Sequence, residues 1–447
     1  MTLLSTLATT LILATASGAA APPSIQIQDF ADAFVEADKA PGIAIGVLDE
    51  SGRIKTYCAG TLTAGGTRPI TENTIFETGS VSKTFAAVLA HMLEQQGELS
   101  LSDPVNIHLP DGVQVPAFNG NEITLWHLAT HTSGLPRVPA RLDSGDSYYP
   151  FTVEELYEFL PNWKPDRAPG ESYSYSNLGY GLLGLVLELN QETSFEELAK
   201  QHILRRLKMR NTGCSFDETF SERLATPHHG TTPTTIRPWT QPTAGAGGIK
   251  STARDLMLFA KANLSDSRTP LHRSLRACQV PRVSKKTRAN RVGLGWHVSG
   301  ESSEPVIGHS GATNGFRTYL GFMPGRNRAV VVLANSNSSV DHLGQYLLTP
   351  ASTTPPDYLP SPDVDISEYA GRYQHDDGSV FVVGILDGQM TVRLNDQRPA
   401  TFIPIDEDLF LNRTVDARLQ FERDARGRVK TLVLKQAGSV NTFRRKP

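Results

Sequence analysis

Apolar residues recur with a helical period in one stretch of the chain and cluster as strands in several others. Apolar residues between positions 85 and 93 follow Gly79-Ser80 and stop before Gly97, which predicts a helix with Ser80 at its N-cap. The apolar run at residues 43–48 and the turn-forming residues after it predict an N-terminal hairpin. Together with later apolar runs near residues 294–298, 309 and 329–333, the pattern predicts an α/β (α+β) fold with one mostly antiparallel sheet flanked by helices.

The pattern changes after a proline-rich stretch at residues 350–362, whose prolines disfavour both helix and central strand. Short apolar segments beyond it predict a small all-β unit, with strand candidates at residues 369–373, 380–385, 390–394, 408–411, 419–422 and 431–435. The predicted organisation is a signal peptide at 1–21, a catalytic domain at 22–349, a linker at 350–364 and a β domain at 365–447.

The first 21 residues are apolar in their middle and end in small residues, which is typical of a secretory signal peptide, although no Lys or Arg precedes the apolar core. No later stretch is long and apolar enough for a membrane span, so the sequence predicts a secreted or periplasmic protein. The net charge of -3 offers no basic surface for nucleic acid. Three scattered cysteines, Cys58, Cys214 and Cys278, are too few for a disulfide framework; a single disulfide and the oligomeric state stay open.

Ser80 and Lys83 place a hydroxyl and an amine one helical turn apart. A serine hydroxyl is a weak nucleophile and must lose its proton to a neighbouring base as it attacks. Burial lowers the pKa of a lysine and would let Lys83 share that task. The Ser-x-x-Lys pattern is common by chance, but two further motifs accompany it.

Tyr175 and Asn177 lie after the turn signal Pro169-Gly170 and before an apolar helical run, so the phenol is expected on a loop that can reach a cleft. His309 and Gly311 follow an apolar pair and are expected on an edge strand that lines the same cleft.

The three motifs resemble, in their order and separation, those of the serine β-lactamase and penicillin-binding-protein superfamily. Within it the chain is similar to the branch of class C β-lactamases, small D,D-peptidases, D-aminopeptidases and related esterases. The supporting stretches, within residues 25–345, are TIFETGSVSK at 74–83, LATHTSGLP at 128–136 and GGIKSTARD at 247–255. The tail resembles the lipocalin-like β domain of some related hydrolases, for which a covering role is favoured over a ligand site.

The resemblance implies roles for the motif residues. Ser80 would be the acylated nucleophile, Lys83 its hydrogen-bonded partner and Tyr175 the general base, while Asn177 would bind the substrate amide or steady Lys83. The backbone N–H groups of Ser80 and Ala312 would form the oxyanion hole, which typically contributes about 3 kcal/mol per donor. A helical lobe at about residues 124–208 would carry Tyr175 to Ser80.

The resemblance also implies that His309 and Gly311 lie against the substrate, and that no metal or organic cofactor takes part. Class C β-lactamases carry a lysine where His309 stands. Because a histidine is only partly charged near pH 7, efficient β-lactam hydrolysis is in doubt.

Four rival motifs are less consistent with their context. Ser310 lies in a near Gly-x-Ser-x-Gly nucleophile elbow, but β-rich sequence follows it where an elbow needs a helix. His127 and His131 have the spacing of a zincin, yet Leu128 replaces the catalytic Glu. His228-His229 is expected in a surface loop, and the Gly-rich stretch at 245–251 is expected to be a tight turn beside the cleft.

The sequence therefore predicts a secreted serine hydrolase that forms an acyl-enzyme on the amide or lactam carbonyl of a β-lactam or D-amino-acid peptide. A small or short-peptide substrate is expected. A carboxylesterase acting on small esters uses the same residues and stays open. A penicillin-binding sensor that does not turn over and an inactive relative used as a protein partner also stay open.

Overall fold

The computed structural model describes residues 24–49, 51–139, 151–215, 218–284, 291–350, 353, 356, 358, 364–386, 389–395, 397–412, 417–436 and 439–446. The signal-peptide prediction, and most of the predicted linker, lie outside the described residues. Among the described helices, none combines the length and hydropathy needed to cross a membrane.

The helices of the described residues lie almost entirely before the predicted linker. They are α1 (Ser24–Glu36), α2 (Ser82–Gln96), α3 (Leu125–Ala129), α4 (Val153–Asn162), α5 (Asn177–Gln191), α6 (Phe195–Ala199), α7 (Arg205–Leu207), α8 (Glu218–Ser221), α9 (Ala244–Gly247), α10 (Ala253–Asn263), α11 (Pro270–Gln279) and α12 (Asp341–Leu348).

The strands of this N-terminal part form one large sheet and two small ladders. They are β1 (Gly42–Leu48), β2 (Ile54–Gly60), β3 (Phe76–Glu77), β4 (His228–His229), β5 (Thr232–Pro233), β6 (Lys250–Ser251), β7 (Val283–Ser284), β8 (Arg291–Val292), β9 (His297–Ser299), β10 (Val306–Ala312), β11 (Arg317–Met323) and β12 (Arg328–Ala334). Within the described ranges the large sheet has the order β2-β1-β12-β11-β10-β9-β8-β7, and each of its paired neighbours is antiparallel. The predicted N-terminal hairpin is β1 and β2.

Helices cover both faces of the large sheet, which explains why its central strands are apolar at nearly every position. Along β1, Ala44 points into a core shared with α2 and α10, whereas Ile43 and Ile45 point into a core shared with α1 and α12. Because successive side chains of a strand alternate between faces, a strand covered on both sides must be apolar throughout. The predicted α/β (α+β) arrangement of an antiparallel sheet flanked by helices is confirmed.

The C-terminal unit is a closed antiparallel barrel. Its eight strands, all within the described residues, are β13 (Gly371–Gln374), β14 (Val380–Leu386), β15 (Gln389–Leu394), β16 (Ala400–Asp406), β17 (Leu409–Asn412), β18 (Ala417–Arg423), β19 (Val429–Gln436) and β20 (Ser439–Arg445). Buried aromatic side chains fill much of its interior, among them Tyr373, Phe381, Phe410 and Phe421. A filled interior suits the covering role that the sequence favoured over a ligand site.

The sequence missed two of the barrel strands, β16 and β20. Pro404 interrupts the strand signal of β16, and the register of β16 against β17 shifts after that residue, as at a β-bulge. β20 is polar apart from two residues, but it pairs with both β19 and β13 and so closes the barrel. Tyr369, predicted to start the first strand, instead ends a 3₁₀ turn.

The three cysteines are free thiols, of which Cys278 is fully buried. Burial raises the pKa of Cys58 and of Cys214 to about 12, so both remain protonated and unreactive near neutral pH.

Candidate active site

Ser80 lies in a 3₁₀ turn, Gly79–Val81, directly before α2. The expected N-cap role of Ser80 is wrong, because Val81 is the N-cap of α2 and no side chain caps the helix. Gly79 has a φ of 51°, and a Cβ there would lie 2.7 Å from the backbone N of Ala312. Glycine therefore allows the turn to approach β10 closely, and the half-buried Ser80 side chain is left beside a cavity.

Lys83 is fully buried and its amine contacts three oxygens. Nζ lies 3.1 Å from Ser80 Oγ, 2.9 Å from Asn177 Oδ1 and 2.7 Å from the carbonyl oxygen of Ala246. Burial and the charge of Arg137 hold the pKa of this amine well below its ordinary range. A neutral amine can donate to the two carbonyl oxygens and accept the Ser80 hydroxyl proton, which is the arrangement a general base needs.

Tyr175 lies two residues before α5, on a loop as the sequence predicted. The Ser176 hydroxyl caps that helix by accepting from Gly179 N–H, which places Asn177 at the first helical residue with its side chain on Lys83. The Tyr175 ring centroid lies 5.0 Å from Lys83 Nζ. The structure thus brings the serine and the lysine, at the start of α2, together with the phenol ring and the asparagine amide, at the start of α5.

His131 supports the Tyr175 loop, a position that sequence reasoning missed. Its backbone is in the left-handed region with φ of 59°, its Nδ1 accepts from Ser176 N–H at 3.1 Å, and its carbonyl accepts from Ser174 N–H. Its ring lies 4.3 Å from the ring of Tyr175. The imidazole therefore helps to set where the phenol lies, and the zincin interpretation of His127 and His131 is not supported.

His309 lies on β10 and is 3% exposed. Its Nδ1 donates to the carbonyl oxygen of Ser310 at 2.7 Å, and its ring lies 4.8 Å from that of His297 and 6.2 Å from that of Tyr175. The prediction that His309 lies on an edge strand is wrong in part, because β10 pairs with β11 on one side and with β9 on the other. β9 pairs only with residues 306–308, so the stretch of β10 from His309 to Ala312 extends beyond it.

Gly311 lets the strand contact the turn that carries Ser80. A Cβ at Gly311 would lie 1.9 Å from the carbonyl oxygen of Thr78, and that backbone atom cannot move independently of the turn. This contact holds Ala312 next to Ser80, where the sequence predicted the two oxyanion-hole donors.

We expect Gly311→Ala to push β10 away from the turn. The free energy of unfolding should fall by about 1–3 kcal/mol, the usual cost of overpacking, and acylation should slow because the donor spacing changes. Gly384→Ala is the matched control, since its Cβ would meet only Thr391 Oγ1 at 3.5 Å. Thermal melting and the rate of covalent labelling measure both effects. Equal behaviour of the two variants would contradict the close contact.

A cavity of about 250 Å³ is lined by Ser80, Tyr175, Asn177, His297 and the stretch of β10 from His309 to Ala312. Four more of its wall residues were not predicted from the sequence, namely Arg137, Trp239, Arg317 and Asp341. Arg137 lies two residues beyond the HTSGL stretch, so proximity to that motif was a usable signal, whereas the others come from distant segments. The Arg137 guanidinium carbon lies 5.3 Å from the Tyr175 ring centroid.

The cavity wall carries two arginines and one aspartate. Arg317 donates to the carbonyl oxygens of Thr313 and Phe316, and it faces the carboxyl of Asp341. Burial raises the pKa of Asp341, whereas the Ser310 hydroxyl and the Arg317 charge act against that shift. Arg137 adds a second guanidinium at the mouth of the cavity. The wall therefore favours a negatively charged group on a ligand.

The rival motifs do not form sites. Ser310 lies within β10 and is followed by β11, so the strand-to-helix context of an elbow is missing. His228 is buried, which corrects its expected surface position, and its two ring nitrogens contact Asn335 O and Ala64 N. The Gly-rich stretch includes the short helix α9 and supplies the Ala246 carbonyl to Lys83. Among the described residues no group of His, Cys, Asp and Glu side chains is arranged to hold a metal ion.

Comparison with known families divides the chain near residue 350. Residues 27–349 match the family described as Beta-lactamase, and residues 357–444 match a domain of unknown function (DUF3471). A beta-lactamase of Yersinia enterocolitica is 28% identical over 344 residues, which cover 68% of this chain and 84% of that protein. The D-alanyl-D-alanine-carboxypeptidase/endopeptidase AmpH of Escherichia coli (strain K12) is 28% identical over 328 residues, covering 69% of this chain and 83% of AmpH.

Solved structures agree with the sequence comparison. A class C beta lactamase from Rhodobacter sphaeroides superimposes with a TM-score of 0.60 at 27% sequence identity, covering 69% of this chain and 94% of that one. Another class C beta-lactamase superimposes with a TM-score of 0.62 at 26% identity, covering 71% and 93%. The superfamily resemblance and the fold class predicted from the sequence are therefore confirmed.

Proposed function

This chain belongs to the beta-lactamase family of serine hydrolases, and from that membership we propose that it hydrolyses the amide or lactam carbonyl of a β-lactam or a D-amino-acid peptide through an acyl-enzyme on Ser80. One observation carries the proposal: the buried Lys83 amine, whose pKa is lowered, lies 3.1 Å from the Ser80 oxygen. The relatives named beta-lactamase and D-alanyl-D-alanine-carboxypeptidase/endopeptidase support the substrate class.

The proposed reaction has two halves. Ser80 Oγ attacks the carbonyl carbon while its proton passes to the neutral Lys83 amine. The carbon–nitrogen bond then breaks, the leaving nitrogen takes the phenol proton of Tyr175, Lys83 returns its extra proton to the Tyr175 oxygen, and an ester to Ser80 remains. Water adds to the ester with the same pair as base, which releases the acid and restores the serine. The backbone N–H groups of Ser80 and Ala312 stabilise the oxyanion in both halves.

Arg137 and Arg317 are proposed to attract the substrate carboxylate in place of the lysine that class C β-lactamases carry at His309. Both guanidinium groups line the cavity, and a guanidinium can bind a carboxylate through two hydrogen bonds. Asn177 steadies Lys83 and faces the same cavity, where it can also bind the substrate amide.

Burial is the main cause of the lowered pKa of Lys83, and Arg137 lowers that pKa further. Its positive charge disfavours a protonated Lys83 and so lowers the pKa of that amine. We therefore expect the rate of acylation to rise with pH as Lys83 loses its proton, and to level off below pH 10.5, the ordinary lysine value. In Arg137→Gln the pKa of Lys83 rises and the acid limb of the profile moves to higher pH.

The pH profile is best measured as the rate of labelling by an uncharged fluorophosphonate, because the probe carries no carboxylate for Arg137 to bind. Arg372→Gln on the exposed face of the barrel is the matched control and should leave the profile unchanged. A profile of Arg137→Gln that coincides with the wild type would contradict the electrostatic role.

A small carboxylic ester is the second candidate substrate. Buried His309 takes the place of a permanently charged lysine, which removes one attraction for a substrate carboxylate. Turnover of nitrocefin, D-Ala-p-nitroanilide and p-nitrophenyl acetate by one preparation ranks the three substrate classes. Hydrolysis of the acetate alone would favour the esterase, and a burst on nitrocefin without turnover would favour the penicillin-binding sensor.

Secretion is proposed from the apolar N-terminal stretch. Mass analysis of the N-terminus of the exported protein tests it, and the expected mature chain begins near residue 22.

A further inference from the structure

A second cavity, of about 370 Å³, adjoins the one that contains Ser80. The two share three wall residues, His297, His309 and Ser310. The other described residues of the second wall are Ser299 on β9, Val306 and Gly308 on β10, Tyr319 on β11, Gln345 on α12, and Thr349 and Thr353 beyond α12.

The order of the two cavities follows the direction of β10. The catalytic cavity includes residues 309–312 of this strand, and the second cavity includes Val306, Gly308, His309 and Ser310. A strand rises about 3.3 Å per residue, so the step from Ala312 back to Gly308 is roughly 13 Å. An extended substrate that starts at Ser80 and follows β10 would reach the second cavity within about four residues.

The second cavity is polar without being strongly charged. The polar residues Ser299, Tyr319, Gln345, Thr349 and Thr353 line it, and its described wall residues include no Asp, Glu, Lys or Arg. Burial raises the pKa of Tyr319, so the phenol stays neutral. Such a wall both donates and accepts hydrogen bonds, which suits the amide groups of a peptide better than a carboxylate or an ammonium group.

The outer wall is held by the barrel. Thr349 Oγ1 lies 2.9 Å from Thr353 Oγ1 and donates to the Gln345 carbonyl at 2.9 Å. Arg418 on β18 donates to the carbonyl oxygens of Pro350 and Thr353, the latter at 3.2 Å. The barrel therefore contacts Thr353, one of the residues that line the second cavity.

We propose that this cavity is an extended subsite for the uncharged main chain of a peptide substrate, and that the barrel domain fixes its outer wall through Arg418. The proposal rests on the proposed peptide hydrolase function, since it names what binds beyond the scissile bond. It gives the C-terminal domain a part in substrate selection in addition to covering the catalytic domain.

Competition against covalent labelling tests this subsite without fixing the direction of the peptide. D-alanine peptides of one, two, four and six residues, blocked as acetyl and amide, compete with the fluorophosphonate for the intact enzyme. We expect the inhibition constant to fall at least 10-fold between two and four residues and to change little beyond. A four-residue peptide with a free carboxylate at the end that reaches the subsite should lose most of that gain.

Variants of the second cavity and of Arg418 test whether these residues cause the tighter binding of longer peptides. Gln345→Leu with Thr353→Val, and separately Arg418→Met, should remove the gain with length but keep the labelling rate of the uncompeted enzyme. Thr401→Val and Arg372→Met on exposed positions of the barrel are the matched controls and should keep the gain.

Three results would overturn the subsite: no gain with length in the wild type, a gain that survives in both variants, or better protection by a sugar oligomer of equal length. The first of these results is measured on the wild-type protein and therefore does not depend on the folding of any variant. Uncompeted labelling in the same samples reports on Ser80, so failure of the subsite is distinguishable from failure of the proposed function.

Discussion

Replacing Ser80 with alanine should abolish covalent labelling by both a fluorescent penicillin and a fluorophosphonate, and should lower hydrolysis by about 10⁶-fold, as in serine hydrolases that lose the nucleophile. No other hydroxyl is expected to act as the nucleophile, because the substitution removes the Ser80 oxygen that lies beside the Lys83 amine. Peptide mass analysis of the wild type should find the adduct on the peptide that carries residue 80.

Ser102→Ala, an exposed serine, is the control and should be labelled like the wild type. An adduct on the peptide that carries residue 310 would instead support the nucleophile elbow. Full labelling of Ser80→Ala would refute the proposed acyl-enzyme, and a stable adduct on the wild type without hydrolysis would leave the nucleophile correct and favour the sensor.

Replacing Lys83 with methionine should reduce the rate of acylation by about 10³-fold, within the usual range for loss of a general base. Methionine has a similar length, so packing around α2 changes little, but the Ser80 proton loses its acceptor and Asn177 Oδ1 and the Ala246 carbonyl lose their donor. The remaining rate should no longer show the acid limb that we assign to Lys83.

Lys430→Met on the exposed face of β19 is the matched control and should keep both the rate and the pH profile. Circular dichroism and thermal melting separate a catalytic loss from unfolding. A folded Lys83→Met enzyme with the wild-type rate and profile would show that the amine is not the base.

The elements whose causes are local could be predicted from the order of residues alone. The helix after Ser80, the loop before α5 and the hairpin of β1 and β2 each follow from periodicity and turn residues that neighbours along the chain supply. The spacing of Ser80 and Lys83 likewise implied their contact, since residues three apart on a helix share one face. Even here the first turn differs, because tight contact with β10 makes Gly79–Val81 a 3₁₀ turn and prevents Ser80 from capping.

Other features depend on contacts between segments far apart in the chain and are visible only in the folded protein. The Ala246 carbonyl on Lys83, the His131 ring beside Tyr175 and the Arg317 charge at the cavity carry no local pattern, because a backbone oxygen, a stacked ring or a long-range charge acts across space. The same holds for β20, whose polar sequence becomes a strand through pairing with two partners as the barrel closes. Hydrogen bonds and packing between distant segments outweigh local preference at such positions, so the sequence indicated the reaction and the folded chain determined its surroundings.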